Sequence, residues 1–546
     1  MITRKLLCLV MVLCCASLLF SLPAQKIVDP GEWVYDALAV LSQEKGIVFF
    51  ADSALTIGQI EGMLTEIDEG SLSPSGKLLY ARVDSYLHSS AWLSYQLGAL
   101  TLGVDMAVWP ELYFKTNSAM EWTYDHYYRQ PLFIAPLSLS FGPYITIEMD
   151  PYFGENEYAA SLHDNHTNIP FDLAPEFDMH FPKHAYLSVG VPFGKASGVH
   201  FAIGIGDNFF GRTRTGSILL SDYMEKVSYA ELSLFSPYIK YAAKIMQLEV
   251  NKYLYMHYLH MRPHKRVSLS AMEGVMVNAP LELRFLNPMM IFHSMESWET
   301  YDDYNADLAN NPPAEKTGAS RAGSFFGAKI EYQPWNHVRL YGLFGITQLQ
   351  LAIEHDRWEE DLTPDALGFQ AGAEFSVPAP QGYWTFGLEG VYTYPYMYVK
   401  YDKGWSYYRE LAEVDRLTVR YWTGTPFGPD SIAGTLWAGY HHRAQWSLEG
   451  SFLFLAQGEK SGTDIFDNDG YRVTHEVADV VRSPTGIPTY TYTVTLLGKW
   501  SPVAWLNVSL QPAYTIVQNH GHSSDTLEQG FEIILSIQIK PPFKRL

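Results

Sequence analysis

The sequence predicts an all-β fold: a large antiparallel transmembrane β-barrel of the outer membrane, preceded by a small helical region. Three observations predict it. Residues 1–24 read as an export signal, and no later stretch approaches the roughly 20 apolar residues that a membrane helix needs. Segments of about ten residues that alternate apolar and polar side chains then recur to the end of the chain.

The signal begins with Arg4 and Lys5, runs through the apolar and small residues Leu6 to Leu22, and ends at Pro23-Ala24. Cys8, Cys14 and Cys15, the chain's 3 cysteines, all lie inside it. The mature chain therefore has no disulfide, thiol nucleophile or thiolate metal ligand. Leu13, directly before Cys14, is too large for the small residue that a lipid-attachment site uses. The formal net charge of -21 becomes more negative still when Arg4 and Lys5 are removed. Such acidity argues against nucleic acid as a partner and suits solvated loops. Hydrophobic residues make up 47% and aromatics 15%, with 37 tyrosines. Tyrosine and tryptophan favour the membrane–water boundary, as in the girdles of a barrel.

The expected organisation is a signal peptide over 1–24, a periplasmic helical region over 25–90, and the barrel over 91–546. In the helical region, Asp29-Pro30 followed by Glu32 reads as a helix start, and Gly46 after Lys45 as its stop. Trp33, Ala37, Leu38 and Leu41 share one face. Thr56 with Gln59 opens a second helix carrying Ile60, Leu64 and Ile67, and Ser73-Pro74 a third carrying Leu78, Leu79, Val83 and Tyr86. Some sixty residues bury too little surface to stand alone, so these helices are expected to dock on the remainder and occlude the lumen.

From about Ala91 the period becomes two. Phe531, Ile533, Leu535, Ile537 and Ile539 alternate with polar residues, and only Ile534 is out of step. Leu448 to Phe454, Leu506 to Gln511 and Leu281 to Phe285 follow the same rule. Apolar positions should face lipid and polar ones the lumen. Asn287-Pro288 should end the Leu281 strand. The polar stretches Glu155–Phe177, Trp298–Ser320 and Gly458–Pro488 read as long outward loops.

Motifs for chemistry are thin. His257, His260 and His264 would share a helical face, but Lys252 to Arg262 reads as a strand, which points His257 and His260 to opposite sides. Asp467, Asp469, Gly470 and Glu476 match part of a calcium loop, yet Ile465 stands at its first ligand position. Gly204-Ile205-Gly206 lacks the third glycine of a dinucleotide fingerprint, and neither Gly-x-Ser-x-Gly nor His-Glu-x-x-His occurs. No metal, cofactor or catalytic group is expected.

One stretch goes further. Gly211-Arg212-Thr213-Arg214 leads through Gly216 to Leu219-Leu220-Ser221-Asp222; His257 to Arg262-Pro263 follows, then Leu281-Glu282-Leu283-Arg284-Phe285-Leu286-Asn287-Pro288. This order resembles the capsule assembly Wzi family, with its Arg/Gly-rich element before "LLLSD", a strand ending in Arg-Pro and an "LELRYLNP"-type segment. Gly424 to Ser431 is similar to a later run of that family. The resemblance implies a barrel of about eighteen strands, a periplasmic helical bundle closing one end, and a lectin-like role in holding capsular polysaccharide. It singles out Arg212, Arg214, Asp222, Arg262, Glu282, Arg284 and Asn287 as lumenal or structural residues.

Sugar polymers present hydroxyls and flat ring faces, for which exposed aromatics are the natural platform. Trp298, Tyr301 and Tyr304 in one loop, and Trp405, Tyr407 and Tyr408 in another, are of that kind. Outer-membrane lipid and a surface polysaccharide are the expected partners, and a monomer the expected state. A solute porin is the alternative function.

Overall fold

The computed structural model describes residues 23–541, apart from 119, 121–129, 155–166, 170–177, 181–183, 195, 225–226, 293–321, 350–364, 401–403, 405, 413–417, 444 and 462–481. Residues 1–22 of the expected export signal, Trp298, Tyr301, Tyr304, Trp405 and the Asp467–Glu476 run lie outside the described residues.

Three helices come first: α1 Trp33–Lys45, α2 Ile57–Leu64 and α3 Pro74–Leu87. Their starts and stops are chemical. Thr56 and Gln59 form a reciprocal capping box on α2, and Ser73 caps Gly76 N on α3, which has proline in its first turn. Gly46 ends α1 in the left-handed conformation, donating to Gln43 and Ser42 carbonyls. The expected start of α1 is corrected. It begins at Trp33 after Glu32, which makes no side-chain cap, while Asp29 holds the Gly31 amide in a turn before it. Val34, Leu38, Leu41, Ile60, Leu64, Leu79, Val83 and Leu87 close into one core. Leu78, expected on that face, is exposed.

Among the described residues, twenty-four segments then form one antiparallel sheet. They make eighteen staves plus the short strand Leu93–Leu97, because the first four staves are interrupted. β1 is Leu100–Val104, Ala107–Val108 and Glu111–Lys115; β2 is Phe133–Ile134 and Leu137–Phe141. β3 is Ile145–Met149 and Tyr152–Gly154, and β4 is Asp178–His180 and Ala185–Pro192. The rest are continuous: β5 Gly198–Gly206, β6 Val227–Phe235, β7 Ile239–Glu249, β8 Lys252–His264 and β9 Val267–Asn278. Next come β10 Ala322–Tyr332, β11 Val338–Gln348, β12 Ala366–Ala379, β13 Gly382–Thr393 and β14 Ser431–His442. β15 Trp446–Gln457, β16 Thr489–Val503, β17 Leu506–Gln518 and β18 Leu527–Ile539 complete the wall. β18 pairs back onto β1 from Glu532↔Lys115 to Ser536↔Glu111, so the sheet closes on itself.

Every turn from an even to an odd stave is short, and most connections from odd to even are long. The helices sit at the short-turn end. Val48 N donates to Lys265 O at 2.8 Å, His337 N to Gln43 O at 2.6 Å, Ser75 Oγ to Ala379 O at 2.5 Å, and Gln25 Nε2 to Pro143 O at 2.9 Å. Each wall residue named here lies in a short turn or at the stave end beside one. Short turns face the periplasm in outer-membrane barrels.

Alternation holds along the wall. Leu448, Phe452, Leu510 and Phe531 are exposed outward, and Ile534 is buried inward against Tyr113 of β1. One expectation fails. Leu281–Phe285 is not a stave: Leu283–Leu286 is a turn of 3-10 helix in the connection after β9, and Phe285 is buried. It makes no ladder, and Phe285 lies against the outside of the barrel.

Candidate functional site

The lumen is stoppered in three layers. The helical plug forms the first. Its Asp52, in the stretch between α1 and α2, pairs with Lys329 of β10 and stands 3.8 Å from His260 Nδ1 of β8. Burial pushes the Asp52 carboxyl up, but Lys329 together with His260 and Arg339 outweighs this and holds it at about 2. Lys329 also donates to Glu331 at 2.8 Å, which accepts from Arg339, and Arg339 reaches Glu374 at 2.9 Å. Lys240 of β7 donates to Ser53 at 2.7 Å. Arg262 donates to Val48 O at 2.9 Å and pairs with Glu66. Arg262 thus links plug to wall.

The second layer is the connection after β5, residues 207–224, which turns into the lumen. Gly211 N donates to Asp52 O at 3.1 Å, and Arg212 N to Asp52 Oδ1 at 3.1 Å. The Arg212 guanidinium donates to Tyr35 O at 2.8 Å and pairs with Asp36. Arg214 N and Thr215 N donate to Glu389 of β13 at 2.8 and 2.9 Å, and the Arg214 side chain pairs with Glu449 of β15. Asp222 is exposed, with Ser221 Oγ at 3.5 Å from its carboxylate.

A third layer comes from the connection between β13 and β14. Tyr398 OH donates to Ile218 O at 2.7 Å, and Ser221 N donates to Thr423 O at 2.8 Å. The Leu219–Asp222 and Gly424–Ser431 runs, about two hundred residues apart, thus pack together. Asp430 is buried and accepts from Lys460 N at 3.0 Å and Thr485 N at 3.1 Å, which ties this lid to the connection after β15. Between the layers lies an apolar cluster of Phe210, Ile218, Leu219, Met397 and Tyr398 with the inward residues Met256, Met272 and Met276. The expectation of a polar lumen is corrected here, because these staves face a dry packing rather than water.

Two further corrections concern predicted sites. Tyr407 and Tyr408 are buried in that cluster, with the Tyr407 hydroxyl on Gly323 O, so neither offers a face to a sugar. Glu282, Arg284 and Asn287 do not join Arg212 and Arg214 in the lumen. Arg284 Nε donates to Glu282 Oε2 at 2.5 Å, and Asn287 Oδ1 accepts from Met289 N at 3.1 Å, all outside the wall.

Reading the sequence alone missed two groups. His184 Nδ1 lies 3.0 Å from Asp150 Oδ2, and its Nε2 lies 3.2 Å from Asp207 and 3.9 Å from Asp29 of the plug. Asp29, His184 and Asp207 have metal-like spacing. Burial disfavours the charged ring, but the three carboxylates outweigh it and raise its pKa well above the usual value. At the long-loop face, Lys460 Nζ donates to Tyr396 OH at 2.8 Å, and the exposed Arg482 lies 5.0 Å from the ring centre of Tyr394. Charge and ring meet there only through the folded lid, so spacing along the chain gave no signal.

No protein-family model matches the sequence, and no curated protein matches it. Among solved structures, Wzi of Escherichia coli, described as an outer membrane protein involved in group 1 capsule assembly and a carbohydrate-binding β-barrel, superposes with a TM-score of 0.58. The alignment covers 95% of this chain and 100% of that one at 11% identity. The chain has the Wzi fold. OprD of Pseudomonas aeruginosa reaches a TM-score of 0.41 at 10% identity, covering 81% of this chain and 96% of that one. The channel DcaP of Acinetobacter baumannii reaches 0.36 at 9%, covering 83% and 100%.

Proposed function

We propose that the mature chain is a non-enzymatic, monomeric outer-membrane barrel that assembles or retains surface polysaccharide. Export by residues 1–24, a periplasmic plug from 25–90 and a barrel over 91–546 are part of this reading. The observation that carries it is the stoppered lumen. With plug, inward connection and lid packed on one another, the surface left for a ligand is the long-loop face. There Lys460, braced on the buried Tyr396 hydroxyl, and Arg482, beside the partly exposed Tyr394 ring, offer cations suited to hydroxyls and acidic groups of a sugar polymer. Trp298, Tyr301 and Trp405 belong to the same reading through their ring chemistry. Such binding needs neither cofactor nor nucleophile, and the acidic chain does not suit nucleic acid. Deleting the gene and staining washed cells for attached polysaccharide tests it. Loss of attached polymer with normal synthesis is expected; unchanged attachment overturns the proposal and favours the solute-channel alternative.

A further inference from the structure

The connection that leaves β9 at the long-loop end does not continue outward at once. Residues 279–292 fold back along the outside of the barrel. Lys240 and His260 face the lumen, so their odd-numbered neighbours on β7 and β8, with Glu273, Val275 and Val277 opposite them on β9, face outward. Outward residues elsewhere, such as Ile203, Leu388, Leu436 and Val494, are exposed. Tyr255, Val275 and Val277 are instead 1%, 0% and 2% exposed. The folded-back segment covers them. Phe285 lies 5.0 Å from the Tyr255 ring, Phe292 stacks on His257 at 4.6 Å, and Tyr241 donates its hydroxyl to Pro288 O. The same hydroxyl lies 3.3 Å from His257 Nδ1, and His257 pairs with Glu273 midway along β8 and β9, so Pro288 reaches mid-stave depth.

Beneath the segment lies a polar pair on the outward wall, His257 Nε2 to Glu273 Oε2 at 2.8 Å. An uncovered pair at that depth would meet hydrocarbon, which is costly. On its other side the segment turns apolar groups away from the barrel: Leu283 is 79% exposed, Met289 84% and Ile291 66%. A water-facing loop rarely presents such a set. Its backbone is also prepared for a dry setting. Pro280 and Pro288 have no N–H, Glu282 N donates to Tyr255 OH at 3.1 Å, and Met290 N donates to Asn287 O at 3.2 Å. Non-stave backbone at membrane depth is tolerated only with such partners.

We propose that residues 279–292 are a membrane-embedded clasp, with Leu283, Met289 and Ile291 among the lipid acyl chains of the leaflet on the long-loop side and Phe285 and Phe292 sealing the His257–Glu273 pair. Bilayer lipid is the occupant because the clasp lies on the wall's own lipid-facing surface, continuous with exposed residues such as Phe326 of β10.

The mature chain has no cysteine, so Met289→Cys carries a single environment-sensitive fluorophore cleanly. The full mature chain is folded into phosphatidylcholine vesicles containing chain-labelled quenching lipid, with Leu436→Cys as the lipid-facing reference and Ser524→Cys as the aqueous one. Folding of each variant is verified by heat-modifiable migration. The Met289 label should emit blue-shifted, be quenched by labelled lipid to within about twofold of the Leu436 label, and resist aqueous iodide. Emission and iodide quenching like those of Ser524 would overturn the proposal. A blue-shifted label untouched by lipid quencher would overturn it too, since protein would then be the occupant. Should Met289→Cys fail to fold, Ile291→Cys repeats the measurement with the same readings.

Discussion

Two ionisable pairs in this barrel sit on opposite faces of neighbouring staves, and each is hidden by a segment of the same chain. Inside, Lys329 of β10 meets Asp52 of the plug, within a lattice that continues through Glu331 and Arg339. Outside, His257 and Glu273 meet on β8 and β9 beneath the folded-back clasp. The inner pair joins two parts of the molecule, so its charge complementarity orients the plug. The outer pair joins adjacent staves that the ladder already holds, so it orients little. A buried pair matters most when it is the means by which two separate pieces recognise one another.

The comparison breaks most visibly at Lys329. Lys329→Met leaves Asp52 buried without its principal partner and should cost about 3–5 kcal/mol. Limited proteolysis of folded barrels should then release the plug region, whereas wild type stays protected; an equally protected variant would remove the plug seat from the account. Glu273→Gln outside should cost less, about 1–2 kcal/mol, because a neutral imidazole can keep a hydrogen bond to the amide. Thermal unfolding read by heat-modifiable migration measures it, and a loss equal to that of Lys329→Met would erase the distinction. Arg214→Gln should cost about 1 kcal/mol or less, since the side chain is solvent-reached and its backbone N keeps Glu389.

The smallest effect is in pH. Burial raises Asp29 to about 6, against the pull of His184, and the carboxylates around His184 raise that ring well above its usual value. Both groups hold protons more tightly folded than unfolded, so the folded state binds more protons and stability falls as pH rises. The Asp29 contribution should be lost between about 4 and 6, and that of His184 above 6.5. Plug protection measured against pH in Asp29→Asn should lack the lower step; an unchanged profile would mean that Asp29 does not couple to the seat.

What the sequence made legible was local or periodic. Thr56 with Gln59, Ser73-Pro74 and Gly46 act within one turn of helix, and they cap the helices as expected. Alternation marks the staves because each has one outward face. Its exception at Ile534 had to await barrel closure, since its partner Tyr113 lies on β1. Leu281–Phe285 misled because its apolar residues alternate in sequence but not in facing: Leu281 and Leu283 are exposed while the 3-10 turn sends Phe285 onto the wall, with no ladder at all. Arg212, Arg214 and Arg262 were recognisable by motif, but their partners Asp36, Glu449 and Glu66 are brought near only by the fold. Tyr407 shows the limit for aromatics, as composition does not distinguish a platform from a core residue.

The central claim is that plug, inward connection and lid together close the lumen. Planar-bilayer recording of the full mature chain tests it most directly. The account predicts an electrically silent wild-type barrel and brief, irregular openings in Lys329→Met. A large, steady conductance from the wild-type chain would contradict it.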